Sequence, residues 1–255
     1  MIPTSNTIPY DSPPRATWAI MGMCLAMFAW QASLSQAEAI AFAREFALVP
    51  ARYTSPAFAE KYGLTFFGPL PWLTSMFMHG GILHIAGNLW VLWVFGPALE
   101  DRLGSARYLV LYLASGLAAG LLHVLFNVGS TVPTLGASGA IAGVIAAYAR
   151  RFPYAWVNVL APVGFVPFVF AMPALMFGGF WFVLQVTQAA GSLVAGPGGG
   201  IAWWAHVGGF AAGWLLVKRM APPADQAEEV RAATESWLWP WRAWWRWVGW
   251  WWGRR

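Results

Sequence analysis

The feature that most constrains this chain is a set of uninterrupted apolar runs, several of them about 18 to 25 residues long, set apart by polar punctuation. As an α-helix, a run of that length matches the ~30 Å hydrocarbon thickness of a bilayer. The alternating segments of ~10 residues that build a transmembrane barrel do not occur. With 59% hydrophobic and only 10% charged residues in 255, the composition is too apolar for a soluble domain of this size. The expected fold is an all-α, multi-pass integral membrane protein whose surroundings are the lipid bilayer. The net charge of +5 is spread over loops and tail, without the basic stripe that nucleic acid requires, so no nucleic-acid partner is expected. The lone Cys24 excludes an internal disulfide.

Six transmembrane helices are predicted, over residues 16–34, 72–99, 108–126, 137–148, 171–190 and 201–217. They divide the chain into a proline-containing arm at 1–15, expected to be unstructured, a six-helix membrane domain at 16–218, and a tail at 219–255. Ser35-Gln36-Ala37 has the small residues of a signal-peptide cleavage site. The lone upstream Arg15, the bracketing Trp18 and Trp30, and the odd number of spans that removal would leave all argue for a retained span. The connection at 35–71 is long enough to need structure of its own, predicted as short amphipathic helices in the interface. Residues 157–170, punctuated by Pro162 and Pro167, are expected to lie shallowly before the fifth span, and Gly196–Gly200 forms a turn before the sixth. The fourth span is short by the length rule, which is tolerable where a helix is shielded by protein.

Counting Lys and Arg near the spans orients the chain. With a cytoplasmic N-terminus the inner segments hold Arg15, Arg102, Arg107, Arg150, Arg151, Lys218 and Arg219, against Arg44, Arg52 and Lys61 outside. Both termini are therefore expected in the cytoplasm, and spans two, four and six run from outside to inside. The richness in Ala, Gly, Trp and Arg suggests a bacterial plasma membrane. Nine of the nineteen tryptophans fall in the tail, interleaved with arginines, a pattern suited to anchoring at the headgroup layer.

This topology brings His79, His84, Asn88, Ser138 and His206 to the outer ends of their spans. Gly136, Gly139 and Gly143 at spacings of three and four, and Gly209 and Gly213 after His206, give spans four and six small-residue faces that permit close approach in lipid. If the faces meet, Ser138 and His206 start the contact at one level, and a serine within reach of an imidazole is the minimum for an activated nucleophile. No Asp or Glu lies inside a span to act as a third member, so a serine–histidine dyad is predicted. His84 and Asn88, four apart, project from one helix face toward a developing oxyanion, and the Ser138 backbone N–H adds a donor. Hydrolysis needs an outward-opening cavity beneath the loop at 196–200. No metal site is expected, because a five-residue gap does not stack His79 and His84 and no thiolate or carboxylate accompanies them. No cofactor is called for. His123 reads as a packed histidine, and Gln185 and Gln188 as interhelical hydrogen bonders that face the interior.

HGGILHIAGN at 79–88, GASGA at 136–140 and AHVGGFAAG at 205–213, in this order on spans two, four and six, resemble the rhomboid intramembrane serine proteases. Glu100 and Gly104 add the ExxxG that follows span two. The resemblance covers about 72–217, and it implies the six-helix rhomboid bundle with Ser138 as nucleophile, His206 as general base, and His84, Asn88 and the Ser138 amide as oxyanion hole. It further implies that His79 supports the site, and that span five and the loop before span six admit substrate and water. The implied substrates are single-pass transmembrane proteins cut near the outer membrane boundary. A rhomboid-like pseudoprotease that binds clients without cleavage is the alternative, and such proteins normally lack the serine or the histidine. One turn after the serine, where some members set an aromatic ring against the histidine, this chain has Ala142, and the Trp-rich tail is no part of the family pattern. The oligomeric state is not legible.

Overall fold

The computed structural model describes residues 1–163, 166–195 and 202–221. In chain order the elements are β1 (Ile2–Asn6), α1 (Arg15–Ser33), α2 (Gln36–Phe46), α3 (Pro50–Thr54), α4 (Pro56–Lys61), α5 (Leu70–Thr74), α6 (Ile82–Leu103), α7 (Ser105–Phe126), α8 (Ser138–Arg151), β2 (Trp156–Val163), β3 (Val166–Pro173), α9 (Ala174–Ala195) and α10 (Trp203–Met220). Among the described residues three helices, Ile82–Leu103, Ser105–Phe126 and the Ala174–Leu193 part of α9, are long and apolar enough to cross a membrane by themselves. The tail from 222 onward and the turn at 196–200 lie outside the described residues.

Helix α8 is the axis around which the others pack. Every residue from Gly139 to Ala149 is buried, and the run is almost all Gly and Ala apart from Ile141, Val144, Ile145 and Tyr148. Such a surface has no bulk to hold neighbours away, so α7 and α10 close directly onto it. A methyl group at Gly213 would stand 2.5 Å from Cα of Gly143, and one at Gly209 would stand 2.8 Å from the carbonyl carbon of Gly139. Both distances are below van der Waals contact, so glycine on both helices is a condition of this approach. Gly136 does not join that face. It precedes the helix at φ 130°, a conformation open to glycine, and a side chain there would strike the His84 ring at 2.8 Å.

At the other end of the bundle Glu100 is buried and caps α1. Its carboxylate accepts from the backbone N–H groups of Ala16 and Thr17 and from the Thr17 hydroxyl, each at 2.8 Å, and from Ser105 Oγ at 2.6 Å. The orphan amides and partial positive charge of a helix N-terminus thereby find an anionic partner. The chain then turns sharply into α7 at Gly104, whose φ is 76°. The long connection carries short helices, as expected. Ser35 and Glu38 close a capping box on α2. Arg52 is buried and donates to Glu45 O at 2.7 Å and Thr65 O at 3.1 Å, which clasps the connection to itself.

Three expectations are corrected. The fold is mostly helical but not all-α: residues 157–163 and 166–170 belong to an antiparallel pair, β2 with β3, rather than a shallow irregular stretch, and the arm expected to be unstructured adds β1 to it in the order β1-β2-β3. The physical reason is in the side chains. Val157 and Val159 are fully buried on one face of β2, and Pro162 and Pro167 sit opposite each other near the tip instead of interrupting the ladder's centre. The arm is also tied to α6, through Trp90 Nε1 donating to Pro3 O at 2.6 Å and Asn6 Nδ2 donating to Val94 O at 2.5 Å. Finally, the stretch 72–99 is not one span. Short α5 and an irregular segment to Gly81 precede α6, since the His79 amide turns aside to Gln31 Oε1 at 3.0 Å.

Candidate active site

Ser138 is the first residue of α8, and His206 lies in the first turn of α10. The glycine contacts between the two helices set their separation, and at that separation His206 Nε2 stands 2.8 Å from Ser138 Oγ. On the other side of the ring His206 Nδ1 stands 2.7 Å from Oε1 of Gln185 on α9, a side chain that is itself buried. The ring is further flanked by Trp181, with centroids 5.7 Å apart, and by Trp203 edge-on at 6.1 Å. Ala142 is fully buried, and the aromatic neighbours of His206 come instead from α9 and from its own helix.

His84 and Asn88 share the face of α6 that meets the strand of backbone leading into Ser138. A side chain at Gly136 would find His84 Cε1 and Nε2 at 2.8 Å and Asn88 Nδ2 at 3.7 Å. Asn88 is buried, and its Nδ2 has no hydrogen-bond partner. An unpaired buried donor costs free energy, which an acceptor reaching Asn88 Nδ2 would recover. Gly136 N donates to Ser75 O at 2.9 Å, which fixes the approach to the helix.

His79 lies behind this group, fully buried, with its ring 5.1 Å from that of His84. Burial first, and then neighbouring His84, push its pKa down to about 4, so the ring is neutral near pH 7. Nδ1–H then donates to Phe77 O at 3.2 Å. Gly139, Gly209 and Gly213 act one layer below the polar groups, at the helix contact that brings α10 to α8.

A cavity of about 850 Å³ opens over these residues, with Ser138, His206, His84, His123, Thr134 and Trp203 in its wall. Sequence reasoning left His123 without a place here. Its Nε2 stands 2.6 Å from Thr134 Oγ1, and Thr134 exchanges two backbone hydrogen bonds with Leu48. Ala51 N also donates to Ser130 O, at 2.8 Å, so the long connection holds one wall of the cavity in position. Only partners far apart in the chain reveal this, and no local pattern signals it. The interior-facing, interhelical hydrogen bond expected of Gln185 is made to His206, whereas Gln188, expected to face the interior with it, is exposed.

A family model described as Rhomboid domain matches residues 68–222, well over half of the chain. The chain is 28% identical to "Rhomboid protein 1, mitochondrial" of Saccharomyces cerevisiae over 80% of its own length and 52% of that protein's. It is 37% identical to "Presenilin-associated rhomboid-like protein A, mitochondrial" of Danio rerio over 37% of the chain and 25% of the relative. Over 29% of the chain and 14% of the relative it is 43% identical to "Rhomboid protease GluP" of Bacillus subtilis. The chain thus spans about half the length of the yeast relative and a quarter or less of the other two. The mitochondrial relatives correct the expectation of a bacterial plasma membrane. The physical reason is that an apolar composition answers to lipid and carries no mark of which membrane supplies it. The domain match, resting on the same helices that carry Ser138 and His206 to within a hydrogen bond, establishes that this chain is an integral membrane protein of the rhomboid family.

Proposed function

We propose that the protein is an intramembrane serine endopeptidase that cleaves single-pass transmembrane proteins near one membrane boundary. The observation that carries this reading is the 2.8 Å contact of Ser138 Oγ with His206 Nε2 at the N-terminus of α8. Six helices, α1, α6, α7, α8, α9 and α10, are the crossing elements in this reading. At 14 residues α8 is too short to be lipid-exposed, and its burial within the bundle supplies the shielding that a short span needs.

In the reaction the Ser138 hydroxyl attacks the scissile carbonyl while His206 Nε2 takes its proton. The carbonyl oxygen becomes an oxyanion, held by Asn88 Nδ2, His84 and the free backbone N–H of Ser138. The protonated ring returns its proton to the leaving amine, and an acyl-serine remains. Water from the cavity, deprotonated by the same ring, releases the acid product and restores Ser138. Donors aligned before charge develops avoid reorganisation at the moment of reaction, which is where most of the acceleration in such sites arises.

A serine-directed fluorophosphonate tests the reading. Wild type is expected to be labelled at Ser138, and Ser138→Ala to take up no label. An unlabelled wild type would favour a client-binding protein that does not cleave. Asn88→Ala is expected to lower kcat by ~10² to 10³ with KM little changed, because an oxyanion donor acts in the transition state. Turnover of a reconstituted single-span substrate measures it, and an unchanged kcat would remove Asn88 from the oxyanion hole.

A further inference from the structure

Among the described residues no carboxylate pairs with His206, since Glu100 and Asp101 lie at the far end of α6, yet its Nδ1 is not left alone. Gln185 Oε1 lies 2.7 Å from it, and Ser138 Oγ lies 2.8 Å from Nε2 on the far side of the ring. A neutral imidazole carries one N–H and one lone pair, and an amide oxygen only accepts. With that oxygen facing Nδ1 the proton must sit there, which turns the lone pair of Nε2 toward the serine hydroxyl. That is the tautomer a general base requires. When Nε2 takes the serine proton, the Gln185 oxygen also faces the new positive charge.

Trp181 reinforces the placement. It stands four residues before Gln185, hence on the same face of α9, and its ring lies 5.7 Å from that of His206. One helix face thus supplies both a ring against the imidazole and an acceptor for its N–H. A carboxylate would bind the imidazolium more strongly, but an ionised group inside the bilayer carries a desolvation cost that a neutral amide avoids. We propose that Gln185 is a positioning residue of the site, which fixes the tautomer and orientation of His206 from α9 and so completes a Ser138–His206–Gln185 arrangement. The proposal rests on the reading of Ser138 and His206 as nucleophile and base.

Its test uses the full chain in lipid nanodiscs, with ¹⁵N-labelled histidine and a single-span substrate. Gln185→Leu keeps the apolar bulk and removes the acceptor. It is expected to lower kcat by ~100-fold, the lower range of what general-base catalysis supplies, with KM near that of wild type. Gln185→Glu restores an acceptor at the same reach and is expected to recover most of the lost rate. Gln185→Asn, one methylene shorter, is expected not to recover it. A residue that mattered for packing alone would not separate Glu from Asn in this way. The ¹⁵N resonances of His206 are expected to show the proton on Nδ1 in wild type and a mixture of tautomers in Gln185→Leu. A wild-type kcat in Gln185→Leu, or an unchanged tautomer, would overturn the proposal. The resonances need no turnover, so they decide for or against Gln185 even if the wild-type chain fails to cleave, a result that would overturn only the peptidase reading.

Discussion

Ser138→Ala and His206→Ala are each expected to reduce cleavage of a reconstituted single-span substrate by on the order of 10⁵ to 10⁶-fold, to background. Ser138→Ala leaves what holds the bundle together untouched. Ser138 makes no capping hydrogen bond at the start of α8, and the helix contact beneath it is made by Gly139 and Gly209. Thermal unfolding of Ser138→Ala in detergent is therefore expected to stay close to wild type, and that of His206→Ala, which leaves the buried Gln185 amide unpaired, to fall modestly while the protein remains folded. The double variant is expected to be no slower than either single one, since nucleophile and base act as a unit and the second loss finds nothing left to remove. What activity remains would come from substrate binding and the oxyanion donors. Near-normal cleavage by either single variant, measured with protein purified free of other peptidases, would sink the assignment of both residues.

The second large effect is expected away from the chemistry. Gly213→Val sets a branched side chain where even a methyl would stand 2.5 Å from Cα of Gly143, on a partner backbone that has no rotamer to retreat into. The helices must separate, or the variant does not fold. Overpacking of this kind costs about 1 to 3 kcal/mol for an added methylene, and a backbone contact lies at the high end. Separation also draws His206 away from Ser138, and ~1 Å of misplacement costs about 10² in rate. The expected result is a lowered unfolding temperature together with fluorophosphonate labelling slowed by at least that factor. Gly22→Ala, on α1 with nothing within 4 Å of the added carbon, is the control and is expected to behave as wild type. If Gly213→Val unfolds and labels normally, the glycine contact does not set the geometry of the site.

The hairpin shows where sequence pattern misleads. In a chain dominated by apolar runs, Trp156 to Pro173 reads as one more hydrophobic stretch broken by prolines, because alternation is hidden when both faces carry apolar residues. The third strand of the sheet comes from residues 2–6, more than 150 positions away, and a short polar arm gives no local sign of that pairing. The same limit applies to the cavity wall. His123 and Leu48 both look like ordinary packing residues until Thr134 is seen to bind each of them.

By itself, the sequence determined that the chain lives in lipid, that its helices carry Ser138, His206, His84 and Asn88 at corresponding ends, and that two glycine-lined faces could meet. Those properties are local: run length answers to bilayer thickness, and spacing answers to the helical repeat. Only the tertiary structure decided that the faces do meet, that Gly136 belongs to the His84 ring rather than to the helix contact, and that the histidine is held by Gln185 and Trp181 from α9. The reason is that a hydrogen bond of 2.7 Å is fixed by how far apart two helix axes pack and how each is rotated. No periodicity along a single helix contains either quantity.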